Sequence, residues 1–136
     1  CNQKPLCENL IITNLTRFKK VSFNDYENNY WWPHQDNGYN GIVYLNKNDS
    51  LSGTNLYQCF HLNELIERDT IFEHLEPWRD KEKYKLIKSI RPKYNQLVLF
   101  DGKKFLHGMN ICNDDYFSQA YRLNQVFFFE EGANSH

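Results

Sequence analysis

The sequence predicts a mainly β domain, either an antiparallel β-sandwich or a jelly roll. Short apolar runs, bounded by turn-forming residues, fill both ends of the chain in the manner of β-strands. Helical spacing is confined to one charged stretch, residues 61–90. The 136 residues suffice for one hydrophobic core, so residues 1–136 are predicted to form a single domain. Strands at both ends around one short helical insert are typical of an all-β fold.

The first half of the chain contains four apolar runs that are predicted strands. They are residues 10–12, 21–23, 42–45 and 55–60. The run 42–45, Ile-Val-Tyr-Leu, is the strongest, because Gly41 precedes it and the turn-forming residues 46–49 follow it. The run 55–60 alternates with period two after a Ser-Gly turn signal.

The middle of the chain changes character at residue 61. Residues 61–66 and 81–87 carry charged side chains at helical spacing, and Pro77 lies between them as a break. The stretch 61–90 is therefore predicted to form one or two short helices inserted between strands. Its charges are more typical of a solvated face than of a binding patch.

The last third returns to strand patterns. Residues 96–100, Gln-Leu-Val-Leu-Phe, lead into Asp101-Gly102, a dipeptide favoured in tight hairpins. A short run at 105–107 follows this predicted hairpin, and residues 121–129 form a long β-prone run. The chain therefore ends, as it begins, in strands.

Composition and charge argue against several classes of partner. The formal net charge is −1, so the chain lacks the general positive field on which nucleic-acid binding depends. No apolar run reaches the length of a membrane-spanning helix, and no signal-peptide pattern opens the chain. The four cysteines, Cys1, Cys7, Cys59 and Cys112, show no Cys-x-x-Cys spacing, which disfavours a zinc ribbon. A Cys1–Cys7 disulfide would require an oxidising compartment, and free thiols in a cytoplasmic, reducing setting are the simpler interpretation.

A histidine and an aspartate, His34 and Asp36, lie two residues apart before the run 42–45. Residues i and i+2 of an extended chain point to the same side, so both side chains are predicted to project into one space. Pro33 favours an extended conformation for Trp32, which supports this geometry. One imidazole and one carboxylate make an incomplete metal site, so a third ligand must come from elsewhere in the chain.

His107 is the candidate for that third ligand. The other histidines, His61, His74 and His136, lie in or beside the predicted insert or at the chain end, where surface positions are expected. His107 instead follows the predicted hairpin, where a strand enters the core. Two histidines and one carboxylate are the ligand set of the facial triad of non-haem iron(II) oxygenases, which leaves coordination positions open for other ligands.

Arg122 lies in an apolar strand run, where its charge needs an anionic partner. A turn signal at residues 113–116 falls midway between His107 and Arg122, so the two are predicted to face each other across an antiparallel pair. The planar guanidinium suits a carboxylate held by two hydrogen bonds. A 2-oxo acid would offer such a carboxylate while its other end chelates the metal.

Taken together, these motifs resemble those of the iron(II)- and 2-oxoglutarate-dependent dioxygenases. The likeness is strongest to the prolyl-hydroxylase-like branch, and within it to an uncharacterised bacterial and viral group. The matching segments are residues 34–37, 42–46, 52–57, 94–100, 105–107 and 122–129. The likeness covers roughly residues 20–130. Each motif alone is weak evidence, whereas their joint order is specific.

The resemblance implies a double-stranded β-helix, which is a jelly roll, with Fe(II) bound by His34, Asp36 and His107. It implies that Arg122 binds the distal carboxylate of 2-oxoglutarate, the cosubstrate, with O2 as the oxidant and ascorbate as a compatible reductant. A carboxylate at Asp36 favours hydroxylation, because related halogenases carry a small residue there. The implied substrate is a peptidyl residue, an amino acid or a small metabolite.

A tyrosine before or near the His-x-Asp motif contacts the distal carboxylate in many relatives. Tyr26, Tyr30 and Tyr44 are the candidates for that role here, and the sequence does not choose between them. The chain departs from the family in two respects. A Ser-Gly pair replaces the usual pair of glycines at positions 52–53, and the supporting N-terminal helices are short or absent.

Two other functions fit parts of the pattern. One is a non-catalytic jelly-roll binding module with a vestigial metal site, in which an aromatic platform binds a peptide or a sugar. The platform residues would be Trp31, Trp32, Tyr39 and Trp78. The other is a cupin-like metal protein that works without 2-oxoglutarate. Arg122 separates these readings, because only a 2-oxoglutarate enzyme needs it beside the metal.

Overall fold

The computed structural model of the chain describes residues 10–16, 25–47, 52–60, 77–111 and 122–129. Within these ranges the chain forms nine β-strands, one helical turn and one 3₁₀ turn. The strands are β1 (Leu10–Thr16), β2 (Asn29–Trp31), β3 (Tyr39–Tyr44), β4 (Thr54–Cys59), β5 (Trp78–Asp80), β6 (Tyr84–Ile90), β7 (Leu97–Asp101), β8 (Leu106–Met109) and β9 (Arg122–Phe129). The helical turn α1 spans Asp25–Asn28, and the 3₁₀ turn spans Lys81–Lys83. The predicted mainly β fold is confirmed.

Four strands form the first sheet, in the order β1-β9-β3-β7, with antiparallel neighbours throughout. Ile42 of β3 lies opposite Val126 of β9 and Val98 of β7. Ile42 and Val126 are buried, so the face of the sheet that carries them is the inner one. Alternate residues along each strand turn to this inner face. On the opposite face, Leu97 and Leu99 of β7 remain 59% and 60% exposed.

Three strands form the second sheet, in the order β6-β4-β8. Leu56 of β4 lies opposite His107 of β8, so both side chains turn to the same face. Leu56 belongs to the same buried cluster as Ile42, Tyr44, Phe100 and Val126 of the first sheet. The two sheets therefore pack face to face through one hydrophobic core, as in a β-sandwich.

The other face of the second sheet carries a smaller core. Tyr57 and Leu106 alternate with Leu56 and His107, and they cluster with Cys59 and Tyr84. A two-stranded ribbon of β2 and β5 covers this face. Its Tyr30 ring lies 4.5 Å from the Tyr57 ring. The ribbon leads directly into the His-x-Asp segment, so its packing fixes where that segment starts.

The predicted helical insert is wrong for residues 84–90, which form strand β6. Most of its side chains are exposed, so their apparent helical spacing carried no information about a buried face. Backbone pairing with β4 decides the conformation instead, and Tyr84, Ile87 and Ile90 are residue types that favour strands. The prediction is also wrong for residues 78–80, which form β5, and residues 81–83 form only a 3₁₀ turn. Residues 61–76 of the predicted insert lie outside the described residues.

The Asp101-Gly102 dipeptide forms a turn, but the predicted tight hairpin is wrong. β7 pairs with β3 in the first sheet, and β8 pairs with β4 in the second. The Asp101 carboxylate accepts hydrogen bonds from the backbone N–H groups of Lys103 and Lys104, at 2.9 and 3.1 Å. This side-chain capping tightens the turn so that the chain crosses from one sheet to the other.

The remaining strand predictions at 10–12, 42–45, 55–60, 96–100, 105–107 and 121–129 are confirmed, with boundaries shifted by a few residues. The predicted strand at 21–23 and the predicted turn at 113–116 lie outside the described residues. In the described part of the chain, no helix is long and apolar enough to cross a membrane.

Candidate metal centre

The structure brings the His-x-Asp segment against strand β8. His34 and His107 form an antiparallel bridge, with N–H···O distances of 2.9 and 2.8 Å in the two directions. The backbone N–H of Asp36 donates to the carbonyl of Gly102 at 3.1 Å. The segment therefore extends the second sheet beyond β8, and both histidines belong to neighbouring extended chains.

The three predicted ligands converge on one point. One ligand atom from each of His34, Asp36 and His107 lies within 4.8 Å of the other two. His107 is buried at 4% exposure, and His34 and Asp36 are half-buried. The His107 Nε2 atom lies 3.0 Å from the Asp36 Oδ2 atom. The predicted side-by-side projection of His34 and Asp36 and the addition of His107 are thus found in the structure.

Backbone carbonyls set which nitrogen each histidine offers. The Nδ1 atom of His34 lies 2.9 Å from the carbonyl oxygen of Trp32, and the Nδ1 atom of His107 lies 3.2 Å from that of Phe105. A carbonyl only accepts, so each Nδ1 carries a proton and donates. Nε2 is then the nitrogen that each ring can offer to a cation, and in His107 it lies against the Asp36 carboxylate. Metal-binding histidines typically hold their second nitrogen in this way.

Aromatic rings enclose the imidazoles. The Trp32 ring stacks on the His34 ring at 4.1 Å between centroids and 19° between planes. The Phe100 ring meets the His107 ring edge-on at 4.8 Å. These contacts restrict the rotation of both imidazoles and keep their hydrogen bonds aligned.

The sequence-based expectation that Trp32 is extended is wrong. Trp32 has a φ of 40°, in the left-handed region that bulky residues rarely adopt. Two hydrogen bonds offset this strain: the Trp32 N–H donates to the Pro77 carbonyl at 2.6 Å, and the Trp32 carbonyl accepts from His34. The preference imposed by Pro33 is overridden because the bend is what turns the Trp32 carbonyl towards the imidazole.

Gly108 allows the segment to approach β8 this closely. A Cβ atom at Gly108 would lie 2.3 Å from the backbone carbonyl oxygen of Trp31 and 3.1 Å from that of Trp32. No side chain fits there without displacing the backbone that carries the Trp32 carbonyl. The glycine after His107 is therefore a geometric requirement of the site.

The Asp36 carboxylate is held in its charged form. Burial alone raises the pKa of this carboxyl, but hydrogen bonds with His107 and Asn40 and the charges of the two imidazoles outweigh it. The net result is a pKa below the ordinary value of a carboxyl group. A charged carboxylate is the form that binds a cation.

Asn40 is a residue of the site that the sequence reasoning missed. Its Nδ2 amino group donates to the Asp36 carboxylate and lies 3.1 Å from the His107 Nε2 atom. Asn40 lies two residues before Ile42 on β3, so its side chain turns to the same inner face, and it is only 2% exposed. A polar residue at an inward position of a predicted strand was the signal that could have found it.

Arg122 faces the same interior from the first sheet. The predicted antiparallel pairing of His107 with Arg122 is wrong, because β8 pairs with β4 whereas β9 pairs with β1 and β3. The guanidinium carbon of Arg122 lies 5.8 Å from the centre of the Tyr44 ring, and its Nε atom is buried. Arg122 and His107 therefore belong to different sheets of the sandwich.

Among the three tyrosine candidates, Tyr44 is the one that contacts Arg122. Its hydroxyl forms a 2.6 Å hydrogen bond with the Thr54 hydroxyl of the opposite sheet. Tyr30 packs instead against Tyr57 and Tyr84, and Tyr26 packs against the cluster of Met109 and Ile111. The structure thus places the three tyrosines in three different environments.

The four residues of the suggested aromatic platform do not share one surface. Trp31 and Trp78 meet edge-on at 5.1 Å in the cluster with Met109, whereas Trp32 stacks on His34. Tyr39 has the outward parity of the first sheet and is 41% exposed.

The other histidines, His61, His74 and His136, lie outside the described residues, as do Cys1, Cys7 and Cys112. The Cys59 thiol is buried in the smaller core and donates to the carbonyl of Lys83 at 3.6 Å. Comparison of the chain with protein-family models, with curated proteins and with solved structures found no match in any of the three.

Proposed function

We propose that this chain is a non-haem Fe(II)- and 2-oxoglutarate-dependent dioxygenase that hydroxylates a peptidyl residue, an amino acid or a small metabolite. The observation that carries the proposal is the convergence of His34, Asp36 and His107 within 4.8 Å. Arg122 adds a half-buried guanidinium group, with a buried Nε atom, on the facing sheet. Neither feature alone points to this class of enzyme. Together they supply the two parts of its cosubstrate site, which are the metal ligands and a cation for the distal carboxylate.

The donor set fits Fe(II). Two imidazole nitrogens and one carboxylate oxygen are the ligands of the facial triad, and this set leaves positions open for a chelating cosubstrate. Each Nδ1 donates to a carbonyl, so Nε2 is the nitrogen that each ring would turn to the ion. The charge of Asp36 offsets part of the charge of the ion. A closed structural zinc site would instead use four protein ligands.

The order of the strands supports a jelly roll of the double-stranded β-helix type. If the His34–His107 bridge is counted as a strand pairing, the His-x-Asp segment becomes the fourth strand of the second sheet. The order is then β6-β4-β8 followed by that segment. It faces β1-β9-β3-β7, and the chain alternates between the sheets at most of its connections. This alternation between two antiparallel four-stranded layers is the architecture that such a fold requires.

Tyr44 and Arg122 are proposed to hold the distal carboxylate of 2-oxoglutarate. Asn40, beside the triad, and Tyr44, beside Arg122, share the inner face of β3. They are four residues apart, which corresponds to roughly 13 Å along a strand. The triad lies at one end of this interval and the arginine at the other, and a five-carbon diacid is proposed to span it. The guanidinium is proposed to bind the distal carboxylate with two hydrogen bonds.

The residues of the chain are proposed to divide the work of the reaction. His34, Asp36 and His107 hold the ion, and Trp32 and Phe100 fix the two imidazoles. When bound, Fe(II) and 2-oxoglutarate supply the oxidative decarboxylation that activates O2 for the oxidation of a C–H bond. The protein contributes orientation and a site from which bulk water is excluded.

Uncoupled turnover tests this proposal without knowledge of the substrate. With Fe(II), O2, ascorbate and 2-oxoglutarate, we expect the wild type to form succinate slowly and His107→Ala to fall to the background rate. Gln35→Ala is the matched control, because Gln35 lies between two ligands but its exposed side chain bonds the carbonyl of Lys103. Wild-type rates of succinate formation in a folded His107→Ala protein would contradict the assignment.

A further inference from the structure

Asn40 is a polar residue at a buried position, and packing alone does not explain it. It is buried on the inner face of β3, and its Oδ1 atom has no hydrogen-bond partner among the described residues. Such a buried, unpartnered oxygen costs stability. A leucine of similar size would fill the position without that cost. The polar side chain therefore needs a reason that lies in its other atom, Nδ2.

The Nδ2 amino group serves two of the three candidate ligands at once. It donates one hydrogen to the Asp36 Oδ2 atom, and it lies 3.1 Å from the His107 Nε2 atom. The amide oxygen cannot take this place, because it would then face the Asp36 carboxylate, which only accepts. The orientation of the amide is thus dictated by Asp36.

The amino group lies where the Asp36 and His107 side chains approach each other. The His107 Nε2 atom is 3.0 Å from the Asp36 Oδ2 atom and 3.1 Å from the Asn40 Nδ2 atom. On the other side of the ring, the Phe105 carbonyl accepts from His107 Nδ1. Asn40 therefore packs against both candidate ligand atoms, beside the point on which the three candidate ligands converge.

We propose that Asn40 is a positioning residue, whose amino group holds the Asp36 carboxylate beside the Nε2 atom of His107 before the ion binds. The inference rests on the proposed metal centre and adds to it a residue that does not bind the ion. Partners of this kind orient the ligands of metal sites, and their loss lowers metal affinity.

The test is a calorimetric titration with Co(II), which needs neither cosubstrate nor turnover. Asn40→Leu keeps the volume but removes the donor, and we expect about 10- to 100-fold weaker binding. Asn124→Leu is the matched control. Asn124 is equally buried at 2% exposure, turns inward from β9, and also has a buried Oδ1 atom, but it lies opposite Tyr44 rather than at the triad. Its affinity should stay within about twofold of the wild type.

A second readout separates positioning from mere support of the fold. The unfolding midpoints of metal-free Asn40→Leu and Asn124→Leu show that both variants are folded before their Co(II) affinities are compared. Asn40→Thr, which keeps one hydroxyl donor within the same strand, should bind Co(II) with an intermediate affinity. It also replaces Asn40→Leu as the test if the leucine variant does not fold.

The outcomes are distinct. Wild-type Co(II) affinity in a folded Asn40→Leu or Asn40→Thr protein would overturn the role of Asn40 and leave the metal centre standing. An Asn124→Leu protein that loses as much affinity as Asn40→Leu would also overturn it, since the effect would then be general to the core. Absence of Co(II) binding by the folded wild type would overturn the metal centre itself.

Discussion

At the scale of single residues, the site depends on which atoms donate and which accept. The carbonyls of Trp32 and Phe105 accept from the Nδ1 atoms of His34 and His107, so Nε2 is the nitrogen that each ring offers to the site. The sequence predicted the three ligands from the His-x-Asp spacing and from the position of His107 after a predicted hairpin. It could not predict these carbonyls, because their direction depends on a φ of 40° at Trp32.

Tyr44 shows the same limit of sequence reasoning. The family resemblance pointed to Tyr26 and Tyr30, which precede the His-x-Asp motif, with Tyr44 as a further candidate, and the sequence did not choose between them. Only the packing of β3 beneath Arg122 separates them. The hydroxyl of Tyr44 also bonds Thr54 across the core, so it links the two sheets.

Tyr44→Phe should therefore affect stability and cosubstrate binding together. Removal of the hydroxyl leaves the buried Thr54 hydroxyl without this partner, and we expect a loss of about 1–3 kcal/mol in the free energy of unfolding. Urea denaturation measures it. 2-Oxoglutarate should also bind more weakly. Tyr30→Phe, from the smaller core, should leave 2-oxoglutarate binding unchanged, and equal weakening in both variants would contradict the role of Tyr44.

At the scale of secondary-structure elements, the positions of most strands were predictable from the sequence, but the pairing of those strands into sheets was not. Period-two alternation and turn residues located most of the described strands to within a few residues. The same patterns failed at β6, whose exposed side chains read as a helix. They also failed at Asp101-Gly102, where the turn chemistry is right but the flanking strands belong to different sheets.

Gly108 is the point where two elements approach most closely. Gly108→Ala would place a Cβ atom 2.3 Å from the Trp31 carbonyl oxygen, so we expect a loss of about 1–3 kcal/mol or a shift of the Trp31–Trp32 backbone. Either result weakens Co(II) binding, because the Trp32 carbonyl orients His34.

Gly41→Ala is the control for this substitution. Its Cβ atom would meet only side chains, none nearer than 3.4 Å, and neither glycine has a positive φ. We expect the stability of Gly41→Ala to stay within about 1 kcal/mol of the wild type, with unchanged Co(II) affinity. Thermal unfolding and calorimetry measure both. If Gly108→Ala were as stable as Gly41→Ala and bound Co(II) as tightly, the close approach of the Trp31–Trp32 backbone to β8 would not be required.

At the scale of the whole molecule, the two sheets bring together groups that are distant in the chain. His107 and Arg122 were expected to meet across one antiparallel pair, and they instead reside on sheets that share a core. Local periodicity identifies a strand and its buried face, but it does not say which sheet the strand joins. The residues of the candidate site were therefore predictable, whereas the route by which the fold assembles them was not.

The most direct measurement is an anaerobic titration of Fe(II) and then 2-oxoglutarate, followed by visible absorption. We expect the wild type to develop a weak metal-to-ligand charge-transfer band, as does Gln35→Ala. His107→Ala should develop none, and Arg122→Ala should need more 2-oxoglutarate to reach the same absorbance. No band in the folded wild type, or an unchanged 2-oxoglutarate requirement in Arg122→Ala, would contradict a cosubstrate site built from the triad and this arginine.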